Sequence, residues 1–381
     1  MAKKQQKVTK YYIIAGEASG DLHASNLMAE MKKHDPLAEF RGCGGDLMVK
    51  QGLQLVRHYS TMDYMGFVEV AVNLRKVMGN ISLCKKDIIE YQPDAIILVD
   101  YPGFNLRIAK FAHQHGIKVF YYISPQVWAW KRRRVKEIRK SVDKMLVILP
   151  FEDEFYKKYG IDVTYVGNPL LDEISKFDGN SRSMFLRRNN LGEKREIIAL
   201  LPGSRRQEVK RMLPVMLKLI PKFPEYQFVI AGVPSIDKDL YKNIIGNTDV
   251  FLIEGQTYDL LQNASAAIVT SGTATLETAL LSVPEVVCYK ATGSSYRIAK
   301  RLIKVKFISL VNLVMDKEVV KELIQGDMTE ENITEELGLL LHDSKRQLQL
   351  LEDYEDLKDK LGNAGASSRA AEVIRAEMNK E

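Results

Sequence analysis

The chain is short of the residues that staple, span or chelate. It holds three cysteines in 381 residues, and Cys43, Cys84 and Cys288 stand far apart without metal-ligand spacing. The odd count argues against a disulfide framework. No apolar run approaches the roughly 18 residues needed to cross a bilayer. The start, Met1-Ala-Lys-Lys-Gln-Gln-Lys7, is polar and basic, with no apolar stretch of signal-peptide length before Tyr11. Together these absences point to a cytoplasmic protein. Neither a G-x-G-x-x-G fingerprint nor a P-loop is found. The Asp-x-Asp of the chain, Asp237-Lys-Asp239, lies in a polar segment after a strand pattern and reads as surface. With no His/Cys cluster at ligand spacing either, no metal and no other cofactor is expected.

What is present suits a globular protein of two domains, each of roughly 150–200 residues. Hydrophobic residues make up 46% and charged residues 27%. The net charge of +6 is uneven: Lys131 to Lys140 carries seven basic residues against Glu137, and Lys290 to Lys306 carries six with no acid. Such patches suit polyanions, anionic lipid surfaces or phosphorylated substrates, or are simply solvated helix faces.

Strand and helix patterns alternate along most of the chain. Tyr11–Ala15, Phe40–Cys43, Pro93–Asp100, Val119–Ile123, Lys144–Leu149 and Val163–Val166 read as strands before Gly167-Asn-Pro-Leu-Leu-Asp172, which reads as a linker. The pattern restarts with Ile197–Leu201, Phe228–Gly232, Val250–Ile253, Ala266–Thr270 and Glu285–Tyr289. This alternation predicts an α/β protein with two parallel-sheet domains, 1–170 and 171–345, and a helical tail over 346–381. Between Met62 and Ile81, Phe67, Val70, Leu74, Val77 and Ile81 make an apolar helical face, widened by Met65, Val68 and Val72. It either packs on the core or meets membrane or acyl chains.

Several turns carry chemistry. Ile197–Leu201 runs into Pro202-Gly203-Ser204-Arg205-Arg206 and a helix, which places N–H groups and arginines at one anion site. Ser271-Gly272-Thr273 likewise follows a strand and starts a helix. Glu277, one turn further on the same face, is placed to accept both hydroxyls of a ribose. The two turns together describe a nucleoside-diphosphate pocket. In the first half, Asp100 ends a buried strand, where open parallel sheets place ligands and reactive groups. Both tryptophans fall in Ser124-Pro-Gln-Val-Trp-Ala-Trp130, next to Lys131-Arg-Arg-Arg134. Aromatics beside cations suit a sugar face with a phosphate, a lipid headgroup or single-stranded nucleic acid.

From Tyr11 to about Gln325 the chain resembles the lipid-A-disaccharide synthases, glycosyltransferases with two Rossmann-like domains facing a cleft (GT-B). The resemblance rests on Gly16-Glu-Ala-Ser-Gly-Asp21, Met65-Gly-Phe-Val-Glu-Val70, Val99-Asp-Tyr-Pro-Gly-Phe-Asn105, Ser124–Trp130, Leu201-Pro-Gly-Ser-Arg205, Ser271-Gly-Thr-Ala-Thr-Leu-Glu277 and Ser309-Leu-Val-Asn-Leu313. His23-Ala24, Gly103 and Asn168 stand where that family usually has a Leu-Gly pair, an acid and a histidine.

The resemblance implies transfer of 2,3-diacylglucosamine from UDP to 2,3-diacylglucosamine 1-phosphate, and peripheral contact with the anionic lipid of a bacterial inner membrane. The expected chemistry is an inverting, in-line displacement with Asp100 as general base. UDP would be held by Gly203, Ser204, Arg205, Ser271, Gly272, Thr273 and Glu277, with Asn312 and Gln325 as further donor-side candidates. Ser19, Asp21, Asn105, Gln126 and Trp128 would serve the acceptor, and Asp21 or Asp94 would be the next bases to consider. A cation of the Trp128–Arg134 loop would take the acceptor phosphate. No nucleic acid is expected, and a homodimer is carried as one assembly. Another UDP-GlcNAc-using GT-B enzyme of the envelope, a UDP-sugar epimerase, and remotely a non-catalytic polyanion-binding protein remain as alternatives.

Overall fold

Short runs of β-branched, Leu and Tyr residues with no exposed position cannot be surface strands, and they form the sheet centres here. Tyr12–Ala15 and Ala95–Val99 are fully buried, as are Ile197–Leu200 and Ala266–Val269. The computed structural model describes residues 8–62, 74–128, 134–291 and 305–380. Two compact units divide the chain: Met1–Asp172 with Ala364–Glu381, and Glu173–Asn363.

In the first unit, β1 (Lys10–Ala15), β2 (Glu39–Gly44), β3 (Leu53–His58), β4 (Ala95–Val99), β5 (Lys118–Tyr122), β6 (Lys144–Val147) and β7 (Val163–Tyr165) form a parallel sheet in the order β3-β2-β1-β4-β5-β6-β7. Ile13 lies beside Ile97, and Ile97 beside Phe120. Successive residues feed opposite layers. Tyr12, Ile14, Ile96 and Leu98 pack with Ile81 and Ile88 of the helix Leu74–Tyr91 on one face. Tyr11, Ile13, Ile97 and Val99 pack with Leu27 and Met28 of Ala18–His34 and with Ile374 of Ala366–Met378 on the other.

In the second unit, β8 (Glu196–Leu201), β9 (Tyr226–Gly232), β10 (Phe251–Glu254), β11 (Ala264–Thr270), β12 (Glu285–Tyr289) and β13 (Lys321–Ile324) form a parallel sheet in the order β10-β9-β8-β11-β12-β13. In each sheet the chain first builds outward one way and then returns to the other side of its first strand. The order therefore reverses between β1 and β4, and between β8 and β11. A crevice opens beyond the strand C-termini at such a switch point, and ligands of doubly wound sheets bind there.

Three expectations change. The strand patterns of the sequence do not predict β3 and β13. Both are sheet edges, half-exposed, and Gln54, Arg57, Lys321 and Glu322 dilute their apolar pattern. The 167–172 linker is helical from Pro169 to Lys176, across the boundary between the units. The tail from 346 is not one segment. Ser344–Leu361 packs in the second unit through Leu350, Tyr354 and Leu357, whereas Ala366–Met378 belongs to the first. Small Ala366, Ala370 and Ala371 let that last helix approach closely, and the Asp172 carboxylate accepts the N–H groups of Gly365, Ala366 and Ser367 at its start. Of the apolar face expected over 62–81, residues 63–73 lie outside the described residues. Val77 and Ile81 are buried in the core, which is the core-facing reading for that end.

Candidate functional site

At the switch point of the first sheet, β4 ends in Asp100 and Tyr101, both with left-handed backbone, at φ 44° and 48°. Non-glycine residues rarely adopt this region, and two in succession persist only where neighbours hold them. The Asp100 N–H donates to the Tyr122 carbonyl at 3.1 Å. Its carbonyl accepts from the Tyr121 hydroxyl at 2.6 Å and from Asn105 Nδ2 at 2.7 Å. The Tyr101 hydroxyl donates to the Met62 carbonyl at 2.7 Å. Its ring lies against Gly16, where a Cβ would collide with it, so the first turn of the chain needs glycine there. The Asp100 side chain sits half-buried at the strand end.

Around it the acceptor-side candidates divide. Ser19 and Gln126 are exposed. Asp21 is buried and caps the short helix Asp46–Lys50, accepting the N–H groups of Gly45 at 2.7 Å and of Leu47 and Met48 at 3.1 Å. It is thus a structural cap, not an acceptor contact or reserve base. Asp94, the other reserve base, precedes β4 and accepts the Lys10 N–H at 2.9 Å, so it stands at the opposite edge of the sheet. Asn105 is fully buried, with Nδ2 committed to the Val99 and Asp100 carbonyls. It shapes the turn instead of lining a binding surface.

Trp128 is also turned inward. Its ring meets Phe151 edge-on at 5.0 Å, and its Nε1 donates to Glu152 at 3.2 Å. Glu152, fully buried, also accepts from the Ser124 hydroxyl and from the N–H groups of Ile148 and Leu149. Burial raises its carboxyl, and those donors oppose the rise. Glu152 thereby fastens the Ser124–Trp128 loop to the start of the helix Pro150–Lys157. Trp130 and residues 131–133 lie outside the described residues.

In the second unit both candidate turns follow the strands that flank the switch point, β8 and β11. Gly203 adopts φ 109°, and Ser204, Arg205 and Arg206 are exposed beyond it. The expectation that backbone N–H groups of this turn wait for a diphosphate is corrected. The N–H groups of Ser204 and Arg205 donate to the Glu208 carboxylate at 3.1 and 3.2 Å. What the turn presents outward is side-chain chemistry: a hydroxyl and two guanidinium groups.

At the end of β11 the Ser271 hydroxyl donates to the Ile308 carbonyl at 3.0 Å, while Gly272 and Thr273 are exposed at the start of the helix Thr273–Leu280. Glu277 accepts from the Tyr258 hydroxyl at 3.0 Å. Burial raises its carboxyl, and the Tyr258 bond pulls it down. Tyr258 packs edge-on against Phe177 at 5.5 Å.

Asn312 does not belong with these residues. It is fully buried and fully bonded, donating to Val320 and Glu322 and accepting from the Val319 and Val320 N–H groups. Gln325 follows β13 in left-handed conformation at φ 56°. Its N–H donates to the Tyr289 carbonyl at 2.9 Å, and its buried Nε2 has no hydrogen-bond partner among the described residues. That unspent donor keeps it a ligand-facing candidate.

Sequence reading missed Tyr121, Glu152, Glu208 and Tyr258. Two of these had a local signal, because Glu208 and Glu152 each stand three residues after the residue preceding a helix, where a carboxylate returns to the free N–H groups. The tyrosines had none. Asp237-Lys-Asp239 is surface as expected: Asp237 caps its own helix through the Asp239 N–H at 2.9 Å. Among the described residues, no three His, Cys, Asp or Glu side chains gather as a metal site. No helix there is long and apolar enough to cross a membrane.

Residues 11–377 match the family model described as lipid-A-disaccharide synthetase. The lipid-A-disaccharide synthase of Syntrophus aciditrophicus is 45% identical over 366 residues, covering 94% of this chain and 95% of that protein. The synthase of Geobacter metallireducens is 40% identical over 375 residues, covering 97% of each. Among solved structures, the UDP-GlcNAc 2-epimerase of Neisseria meningitidis bound to UDP-GlcNAc superimposes with a TM-score of 0.65 at 15% identity, over 98% of this chain and 100% of that one. At that identity the likeness is one of fold.

Proposed function

The chain belongs to the lipid-A-disaccharide synthetase family, the GT-B hexosyltransferases of lipid A biosynthesis that use UDP-sugar and lipid substrates, and on that premise we propose how its residues share the reaction. The donor is UDP-2,3-diacylglucosamine and the acceptor is 2,3-diacylglucosamine 1-phosphate. The acceptor 6-hydroxyl attacks the anomeric carbon in line, its oxygen forming the new bond as the bond to the UDP oxygen breaks. Asp100 takes the hydroxyl proton. The departing diphosphate carries the charge that must be neutralised. Arg205 supplies a planar, permanently charged guanidinium for it, and the helix start at Gly272 and Thr273 supplies backbone N–H groups. Glu277 holds the ribose hydroxyls, and the Nε2 of Gln325, unpartnered among the described residues, is a donor for the sugar or nucleotide.

One observation carries this reading. Asp100 and the two anion turns each stand beyond the C-terminal end of a strand bordering its sheet's switch point. The likeness to an epimerase bound to UDP-GlcNAc supports the same class of donor. Peripheral contact with an anionic membrane surface follows from substrates that carry acyl chains, and the cations of the exposed face of Val135–Ser141 suit it.

The test is turnover of UDP-2,3-diacylglucosamine with its 1-phosphate partner, in EDTA. Disaccharide formation unimpaired by the chelator is expected. Activity confined to non-acylated UDP-GlcNAc would overturn the substrate assignment. Near-normal turnover by Asp100→Asn would overturn the base.

A further inference from the structure

We propose that Tyr121, with Asn105, is the positioning residue that holds Asp100 in the left-handed conformation from which its carboxylate works. The inference rests on Asp100 being the general base. Tyr121 is fully buried and therefore cannot touch substrate. What it can do is act through Asp100, whose carbonyl its hydroxyl meets at 2.6 Å.

The geometry explains why such a device is needed. Consecutive left-handed residues at φ 44° and 48° are not a conformation that Asp and Tyr hold unaided. In the ordinary strand continuation the Asp100 side chain would follow the alternation of β4. The reversal at 100–101 instead redirects it at the strand end, so its aim depends on whatever fixes that turn. Tyr121 lies on the neighbouring strand, where Tyr121 pairs with Leu98 and Tyr122 with Val99. From β5 the chain thus grips Asp100 twice, through the Tyr122 carbonyl on its N–H and through the Tyr121 hydroxyl on its C=O. Asn105 reaches the same carbonyl from the following helix, at 2.7 Å.

Two details show that these groups are dedicated to the turn. Asn105 spends its amide hydrogens on the Val99 and Asp100 carbonyls, while its own Oδ1 has no hydrogen-bond partner among the described residues. Among these, a buried polar atom is left unmatched so that two carbonyls can be held. Burial, reinforced by the Asp100 charge, also pushes the Tyr121 phenol well above its ordinary range, so the hydroxyl remains a donor wherever Asp100 is ionised.

The experiment is a double-mutant cycle of Tyr121→Phe and Asp100→Asn, read as kcat, KM for the UDP-sugar and UDP affinity. Tyr121→Phe keeps the ring and removes only the hydroxyl. It should lower kcat about tenfold to a hundredfold, as expected for a misplaced catalytic group. KM and UDP binding should stay within about twofold, and Tyr121→Phe should cost nothing further in the Asp100→Asn background. Unchanged kcat in Tyr121→Phe beside an inactive Asp100→Asn would sink the positioning role and leave the base assignment standing. Losses that multiply in the double variant would mean that Tyr121 acts independently of Asp100, which also overturns the inference. Should Asp100→Asn itself turn over normally, the base reading falls, and the inference with it. If Tyr121→Phe does not fold, Asn105→Asp provides the same cycle by replacing a donor with an acceptor against the Asp100 carbonyl.

Discussion

Arg205 and Glu208 close on each other twice. The backbone N–H of Arg205 donates to one carboxylate oxygen at 3.2 Å, and its guanidinium reaches the other at 3.2 Å. The carboxylate thus partly neutralises the guanidinium charge that the proposed reaction assigns to the diphosphate. The pair is solvated, with Arg205 55% exposed, so its attraction is on the order of 0.2–1 kcal/mol. Glu208→Gln keeps an acceptor for the two N–H groups while removing the negative charge. It should tighten UDP binding by a factor of about 2–5, whereas Arg205→Ala should weaken it at least about tenfold. Titration calorimetry with UDP decides, and weaker binding by Glu208→Gln would contradict the account.

The same turn tests the need for glycine at 203. A Cβ there would stand 2.6 Å from the Glu208 Cβ, on backbone at φ 109°. Gly203→Ala should destabilise the second unit by about 1–3 kcal/mol. Thermal unfolding of the variant indistinguishable from the parent would show that the turn relaxes freely.

On the proposed reading Glu277 holds the ribose as a carboxylate, in which each oxygen is free of a proton and can accept one hydroxyl. Burial raises its pKa, and the Tyr258 hydroxyl lowers it. Tyr258→Phe removes the lowering bond, so protonation should begin at higher pH. The acid limb of kcat/KM for the UDP-sugar should therefore move upward. Above the acid limb Glu277→Gln should raise KM about tenfold with a smaller change in kcat, because binding common to the ground and transition states is what is lost. An acid limb unmoved in Tyr258→Phe would remove Glu277 from the binding site.

Glu285, at the start of β12, is fully buried, and neither carboxyl oxygen has a hydrogen-bond partner among the described residues. Burial pushes its carboxyl well above the ordinary value of 4.5. A carboxyl raised in the folded state stabilises the fold below the unfolded pKa, and that contribution is lost as pH rises toward the folded one. Relative to the parent, Glu285→Gln should therefore gain stability as pH climbs above 4.5, by on the order of 1–3 kcal/mol near neutrality. Urea unfolding at pH 5 and pH 8 reads this, and an equal difference at both would refute it.

The three cysteines are 0–1% exposed, and the sulfurs of Cys43 and Cys84 lie 3.3 Å apart in the core of the first unit. Buried thiols are protected by the fold itself, and burial pushes Cys288 up to about 12. An aromatic disulfide reagent should find no thiol in the native protein and three after denaturation. Reaction of any of them under native conditions would show an opening that reaches the core.

Two parallel sheets, the turn glycines and an acid at a strand end were legible because each is written locally. Apolar runs, the residues that break them and the helix patterns that follow are all contiguous. The two edge strands escaped because an edge is half-solvated and its polar residues erase the period. Asp21, Asn105, Trp128 and Asn312 stand in the motifs that carry the family resemblance, which is what makes them site candidates in the sequence. Only the folded chain reveals that each is buried with other partners.

What the sequence by itself determined is the architecture and the places where strands end in polar turns, since hydrophobic period and backbone stereochemistry act over a few residues. Tertiary structure decided which of those polar groups are spent. Tyr121 reaches Asp100 across 21 residues, Tyr258 reaches Glu277 across 19, and Asp172 reaches Gly365 across 193. A buried donor or acceptor bonds with whatever the packed layers bring within 3 Å or so, and no pattern along the chain encodes that partner.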